Sequence, residues 1–398
     1  MILTINGGSS SIKFALFEIG GSPEKVCYGQ LTRVGTIGTR FTVNSEVTSL
    51  PVIATTYKGA IDFLVSWLEG HISFSDVKAI GHRIVHGMQH TEPGLITREL
   101  LSDLKNISAY DPDHLPYEIQ LIEAFKKNHS DISQYACFDT AFHKDMPSVA
   151  KLLPIPRRFD KLGVHRYGFH GLSYNYLMEE LERSSGKQTA HGRIIIAHLG
   201  NGASLAAIKH GKSIDTSMGF TPDSGVPMST RTGDLDPGVA WFMMKSENLT
   251  PRQFNHLISR ESGLLGISET SGDMHDLLNL EGTDIRAAEA VNLFCYQVKK
   301  WIGGFAAALS GLDTIIFTGG IGENSPSIRA RICEGMGFLG IELNDERNHQ
   351  NAPFISAAGG VSIRVMHTDE EMMIAKLVYD MSAVTAKEQH NIKDIHHA

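Results

Sequence analysis

The stretch from Arg193 to Ile208, RIIIAHLGNGASLAAI, constrains the fold more than any other part of the chain. Ile194 to Ala197 reads as a buried strand, and a second apolar run leaves at Leu205 to Ile208. Between them Gly200-Asn201-Gly202 supplies the tight, side-chain-poor turn of a hairpin. Such a turn lets backbone N–H groups approach an anion closely, because little side-chain bulk stands in the way. The chain opens in the same manner. Residues 2–17, ILTINGGSSSIKFALF, read as strand, small polar turn (Asn6 to Ser11) and strand. Two such hairpins, one at the start of each half, predict a duplicated α/β fold holding a phosphate chain between its copies. Either hairpin alone would read as an ordinary one; the repetition favours duplication.

A chain of 398 residues has room for two domains with separate cores. Apolar content of 42% and charged content of 20% describe a globular protein without a bias to disorder. A net charge of −8 and the lack of a basic stripe argue against nucleic acid or an anionic membrane as partner. The first residues enter a strand with no signal-peptide pattern, and no apolar run reaches spanning length. The four cysteines are scattered, without a CxxC pair. They read as inert thiols, and a cytoplasmic location is expected.

Apolar periodicity predicts helices over residues 57–70, 100–109, 116–126, 250–259 and 284–309, the last with Ala288, Val291 and Phe294 on its buried face. Another runs from the acidic group Asp369-Glu370-Glu371 to about Tyr379, and the polar tail from Ala383 is expected to be mobile. Strands are predicted over 77–86, 135–142 (with Asp139 on it), 315–317 and 362–366. A loop from Asp215 to Pro237 is long enough to imply a function, and it carries Arg231. After the strand at 315–317, a glycine turn from Gly319 to Asn324 leads to a helix opened by Ser325-Pro326. A glycine turn feeding a helix offers N–H groups and a helix dipole to phosphate.

Three segments thus qualify as phosphate contacts: the first hairpin with Lys13, the second hairpin, and the Gly319–Asn324 turn. None contains a P-loop or a GxGxxG unit, and together they favour a nucleotide between two halves. Arg83 and Arg231 lie in otherwise uncharged surroundings; they are either structural salt-bridge partners or a clamp for a carboxylate and a moving phosphoryl group. Asp139 reads as a turn partner or as a group acting on substrate or metal. His170, between Phe169 and Gly171, reads as a core histidine or a site residue. His82, His86 and His90 sit in a strand-like run, which excludes a helical zinc pair, and the tail histidines His390, His396 and His397 are expected to face solvent.

Seven motifs, taken together, resemble the acetate kinase family: NGGSSSIKF at 6–14, GHRIVHG at 81–87, FDTAFH at 138–143, YGFHG at 167–171, HLGNGAS at 198–204, MSTRTGDLDPG at 228–238 and FTGGIGENS at 317–325. The resemblance covers Met1 to about Tyr379 in order. It implies two duplicated ribonuclease-H-like domains of the actin and hexokinase type, 1–143 with 372–398 and 144–371, with a nucleotide cleft between them. It further implies reversible phosphoryl transfer from ATP to acetate, giving acetyl phosphate and ADP, with Mg²⁺ (Mn²⁺ the alternative) and a homodimer. By matching position, Asn6 and Glu370 are expected near the metal and Lys13 near the phosphates. Arg83 is expected to bind the acid's carboxylate, with Val85, Phe169 and Pro222 lining its acyl pocket. Asp139, His170 and Arg231 are expected to be catalytic, Asp139 acting through metal and alignment more than as a base. His198, Leu199, Gly200, Asn201 and Gly202, then Gly320, Ile321, Gly322, Glu323 and Asn324, are expected to hold ATP, with Asp273, Met274 and His275 near the adenosine.

The chain departs from the family pattern at Asp113 and Leu115, at Leu172 and Tyr174 after the FHG motif, and at His275. These positions bear on acyl and nucleotide preference. A propionate kinase is therefore the rival within the class, and an ATP-binding scaffold without acyl chemistry is the rival outside it.

Overall fold

The computed structural model describes residues 1–395 except 9, 22, 37, 45, 52 and 53, and the side chains of these apart from 46–51 and 384–395. The strands run in the order β1 (Ile2–Gly7), β2 (Ser11–Ile19), β3 (Pro23–Thr32), β4 (Arg40–Val43), β5 (Glu46–Pro51), β6 (Ala79–Ile84), β7 (Gly94–Leu95) and β8 (Ser133–Phe138). They continue as β9 (Arg193–Leu199), β10 (Ala203–Lys209), β11 (Lys212–Thr216), β12 (Thr314–Thr318) and β13 (Ser362–Val365). Among the described residues they form an eight-stranded sheet, β5-β4-β3-β2-β1-β6-β8-β7, and a five-stranded sheet, β11-β10-β9-β12-β13.

The same pattern appears in both sheets. The β1–β2 and β9–β10 hairpins are antiparallel, each is extended on its outer side by an antiparallel third strand, and each presents its first strand to a parallel one, β6 or β12. A second parallel strand then follows, β8 or β13. β1, β9 and β10 are buried along almost their whole length, as expected of strands covered on both faces, while β2 leaves Lys13 and Glu18 exposed. This is the duplicated α/β architecture expected from the two hairpins.

The chain divides into two compact units, Met1–Ala141 with Asp369–Ala398, and Phe142–Thr368. In the first, the helix Glu370–Ile395 lies on β1 and β6. Gly81 of β6 allows that approach: a Cβ there would sit 2.4 Å from the side chain of Ile374 and 2.7 Å from that of Val378. One core cluster joins Leu3, Ile5 and Phe14 of the hairpin to Ile61, Leu64 and Leu68 of the helix Tyr57–His71. In the second unit, Ile194, Ile196, Ala206 and Ile316 pack against Tyr174, Leu177 and Leu181 of the helix Gly171–Ala190.

Several expectations are corrected. Gly319–Asn324 is a helix and not a turn. It closes because the Glu323 carboxylate, one turn on, accepts from the Gly319 N–H at 2.9 Å and from the Thr318 hydroxyl at 3.1 Å. Asp139 does not lie on its strand, which ends at Phe138; it starts the following turn, its N–H bonded to the Ile84 carbonyl at 2.9 Å. On the helix Ile285–Ala308 the buried stripe takes Ala287, with Ala288 half-buried. The C-terminal helix does not stop near Tyr379 but continues to Ile395. The expectations for His396 and His397, and for the side chain of His390, lie outside the described residues.

Candidate functional site

In the first unit the elements converge on Arg83. Residues Asn6 and Lys13 face each other across the first hairpin, so β1 and β2 place them side by side. Arg83, near the end of β6, donates through Nε (3.0 Å) and Nη2 (2.6 Å) to Oδ2 of Asp139, and through Nη1 to Oδ1 of Asn6 (3.3 Å). Asn6 in turn donates from Nδ2 to Glu370 (2.9 Å) and Glu371 (3.0 Å), which the C-terminal helix delivers in its first turn. Asp139 is fully buried. Burial pushes its carboxyl up from the ordinary value, against the pull of the Arg83 guanidinium. Its second oxygen, Oδ1, is buried and makes no hydrogen bond among the described residues. An orphaned buried carboxylate oxygen is costly unless something charged or protic meets it.

Val85 is buried, and its N–H is held by both oxygens of buried Glu118, at 3.1 and 3.2 Å. Burial, with the nearby Asp111 charge, pushes the Glu118 carboxyl well above its ordinary value. His114 accompanies it, bonded through Nδ1 to Asp111 at 2.8 Å. Asp113 is half-buried, and Leu115 fully buried in the core that includes Ile84 and Phe138. Of the three histidines spaced by four, for which no zinc site is expected, His82 meets Gln134 at 2.7 Å, His86 accepts from the Met88 N–H, and His90 meets Asp103 at 3.2 Å. They have separate partners, and no shared metal is needed to explain them.

In the second unit the hairpin turn is the centre. His170 adopts a left-handed backbone conformation (φ 57°) at the start of the helix Gly171–Ala190, which turns its ring out of the helix. The ring stacks on His198 with centroids 4.3 Å apart and planes 20° apart. Its Nδ1 lies 2.8 Å from the Ser204 hydroxyl, while His198 Nδ1 lies 2.9 Å from that of Ser173. Arg231 donates from Nη1 to the Pro222 carbonyl (3.1 Å) and pairs through Nε with Asp223 (3.4 Å). His170 and Arg231 meet at Gly202: a Cβ there would lie 3.3 Å from His170 Nε2 and 3.7 Å from Arg231 Nη1. Fully buried His143 supports this arrangement from behind, Nε2 against the Phe169 carbonyl (3.1 Å) and Nδ1 against Ser213 (2.7 Å). Burial holds its pKa down at about 4, so the ring is neutral.

The same turn meets the glycine helix. A Cβ on Gly200 would lie 3.8 Å from the Gly320 nitrogen, and one on Gly319 (φ +78°) 2.7 Å from the Leu199 carbonyl oxygen. Two glycines thus bring Leu199–Gly202 and Gly319–Asn324 together. Glu323 also receives His367 Nδ1 at 2.6 Å, and Asn324 donates to the Gly320 carbonyl at 3.0 Å. Behind them Arg329 is fully buried, donating to the carbonyls of Gly322 (2.8 Å), Glu323 (3.0 Å) and Asn348 (2.9 Å) and to side-chain oxygens of Asn348 (2.8 Å) and Asn351 (2.6 Å). Asn201 bonds Ser229 through its carbonyl, and Gly272 abuts the Ser229 carbonyl, which brings Asp273 to His275 up to the same surface. Of these, Asp273 caps its helix by accepting the His275 N–H (2.8 Å), Met274 is buried, and His275 is exposed.

Sequence reasoning did not find Glu371, Glu118, Ser204 or Arg329. Glu371 adjoins an expected residue and was within reach. The others take their meaning from partners far away in the chain.

Residues 1–376 match the acetokinase family. An acetate kinase of Rhodopseudomonas palustris (strain TIE-1) is 41% identical over 394 residues, covering 96% of this chain and 98% of its own. A propionate kinase of Citrobacter rodentium is 38% identical, covering 94% and 95%. The crystal structure of an acetate kinase from Porphyromonas gingivalis superimposes with a TM-score of 0.83 at 36% identity, covering 94% of this chain and 98% of that one.

Proposed function

The chain belongs to the acetokinase family, and from that premise we propose that it transfers the γ-phosphoryl group of ATP to acetate, reversibly, giving acetyl phosphate and ADP. The observation that supports this best is the convergence of His170 and Arg231 on Gly202, a backbone position with no Cβ to occupy the space between them. Phosphoryl transfer asks for positioning and charge neutralisation more than covalent help from the protein. An oxygen of the acid forms the new P–O bond as the bond to the β,γ-bridging oxygen breaks, and the electron pair leaves on ADP. The acid is ionised near neutral pH, so no base has to remove a proton. In this reading Arg231 and His170 donate to the equatorial oxygens of the moving group. Arg83 binds the carboxylate, and Asp139 orients Arg83 through its two hydrogen bonds. The hairpin turn, the Gly320–Asn324 segment and Lys13 hold the phosphates, and Asp273–His275 lies by the adenosine.

Mg²⁺, with Mn²⁺ the alternative, would supply neutralisation of the phosphate charge when bound. The residues fit it: Asp139 Oδ1 is buried without a hydrogen bond among the described residues, and Glu370 and the Asn6 amide supply further hard oxygen atoms nearby. No group of three His, Cys, Asp or Glu residues arranged for a metal is found among the described residues. Mg²⁺ takes one or two carboxylates and completes its shell with water and phosphate.

Domains of 1–143 with 372–398 and of 144–371, a cytoplasmic location and a homodimer belong to the same proposal. No helix among the described residues is long and apolar enough to cross a membrane. The helix Pro237–Ser246 supports pairing with a second copy, since it buries no residue and exposes Trp241 and Phe242.

The test is the initial rate of acyl phosphate formation, trapped as hydroxamate, with formate, acetate, propionate and butyrate. The highest kcat/KM with acetate supports the assignment. Propionate in first place turns it to a propionate kinase, a difference of one methylene and roughly 1–3 kcal/mol. A larger or more polar acid in first place means that Asp113 and its neighbours have reshaped the acyl site.

A further inference from the structure

The helix Gly171–Ala190 places Tyr174 one turn beyond His170, with its side chain fully buried. The phenolic oxygen lies 2.5 Å from the Ser204 hydroxyl, and that hydroxyl lies 2.8 Å from Nδ1 of His170. Ser204 is also fully buried, paired across the hairpin with His198. A continuous line of polar atoms therefore runs from the core of the second unit to one nitrogen of the imidazole. The other nitrogen, Nε2, looks toward Gly202, the position where Arg231 also arrives. Stacking on His198 fixes the plane of the ring.

The acidity of the donors favours one direction for these hydrogen bonds. A phenol is more acidic than an aliphatic hydroxyl, so Tyr174 donates to Ser204. The single hydrogen of Ser204 is then available to Nδ1, and a neutral ring that accepts it there carries its own hydrogen on Nε2. On the reading of His170 given above, that is the tautomer able to donate to a phosphoryl oxygen over Gly202. We propose that Tyr174 is a positioning residue that, acting through Ser204, holds His170 as the Nε2–H tautomer for phosphoryl transfer. His198 Nδ1 meets a different hydroxyl, that of Ser173, which in turn accepts from Thr368 at 2.8 Å.

The proposal rests on the phosphoryl-transfer reading, yet its first test needs no turnover. With ring-¹⁵N histidine, NMR of the full chain reads which nitrogen of His170 carries the hydrogen, and His170→Asn identifies the signals. The expected result is hydrogen on Nε2 in the wild-type protein and a shift toward the other tautomer in Tyr174→Phe and in Ser204→Ala, with His198 keeping its own tautomer. Both variants should lose kcat by roughly 10- to 100-fold, the usual range for residues that orient a functional histidine. KM for ATP and for the acid should stay within about twofold, and the double variant should be no worse than either single one, since the two act in series. Hydrogen on Nδ1 in the wild type overturns the proposal, as do unchanged His170 signals and unchanged kcat in folded Tyr174→Phe. Should Tyr174→Phe not fold, Ser204→Ala and the wild-type tautomer decide. A wild-type protein that makes no acyl phosphate from any acid would overturn the transfer reading itself, which is a distinct outcome.

Discussion

Gly202→Ala separates the proposed chemistry from the fold. The backbone at Gly202 does not require a positive φ, so alanine introduces no strain there. The nearest atoms to the added methyl are His170 Nε2 at 3.3 Å, His170 Cε1 at 3.5 Å and Arg231 Nη1 at 3.7 Å. The first of these contacts is tighter than ordinary, and the ring must yield by a few tenths of an ångström, although Ser204 and the stacked His198 hold it. The methyl also takes the space between two donors in which a phosphoryl oxygen would sit. A displacement of about 1 Å in a reacting group costs about a hundredfold in rate. That corresponds to about 2.7 kcal/mol on the barrier. Gly202→Ala should therefore lower kcat roughly 100-fold in the hydroxamate assay, while the Tm moves by no more than about 2 °C. A folded variant with kcat within threefold of wild type would refute the placement of the phosphoryl group over Gly202.

Further outcomes follow from other contacts. Gly319→Ala puts a Cβ 2.7 Å from the Leu199 carbonyl oxygen at a φ of +78°, so it should destabilise the fold by about 1–3 kcal/mol in urea unfolding. Gly304→Ala, inside a helix with nothing within 4 Å of the new Cβ, should instead stabilise by about 0.5–1 kcal/mol. Folded Glu118 holds its proton more tightly than the unfolded chain does, so its contribution is present below the ordinary carboxyl value of 4.5 and is lost as pH rises through the folded value. Glu118→Gln should therefore be more stable than wild type at pH 8, with the gap closing toward pH 4 in denaturant titrations. His82 and His143 carry the opposite sign: burial holds both down at about 4 from 6.5, so their contribution, roughly 3 kcal/mol each at full extent, is present above 6.5 and lost as pH falls toward 4. Chelation with EDTA should abolish acyl phosphate formation and added Mg²⁺ or Mn²⁺ restore it, with the Tm of the protein alone unchanged by the chelator.

How much of this was legible in the sequence depended on the range of the interactions. Apolar runs around Asn-Gly and Gly-Gly turns are local signals, and they placed both hairpins and the parallel strands beside them. Gly319–Asn324 was misread because glycines suggested a turn, whereas the Glu323 side chain reaches back to the Gly319 N–H and closes a helix. The strand carrying Asp139 was read too long, since its apolar pattern continues past Phe138 while the pairing with β6 stops there. Glu118, Ser204 and Arg329 could not be found in this way. A buried glutamate 33 residues from the amide it holds, or a serine 34 residues from its histidine, has no periodicity to betray it. The family resemblance supplied the expected roles of Arg83, His170 and Arg231, and the structure supplied their neighbours.

The central claim is that ATP is cleaved by transfer to an added acid. ³¹P NMR of the protein with Mg²⁺-ATP, followed with and without acetate, tests it most directly. The account predicts acetyl phosphate and ADP appearing in equal amounts, and no ADP when the acid is left out. ADP released at the same rate without any acid, and no acyl phosphate with it, would contradict the account and favour an ATP-binding scaffold.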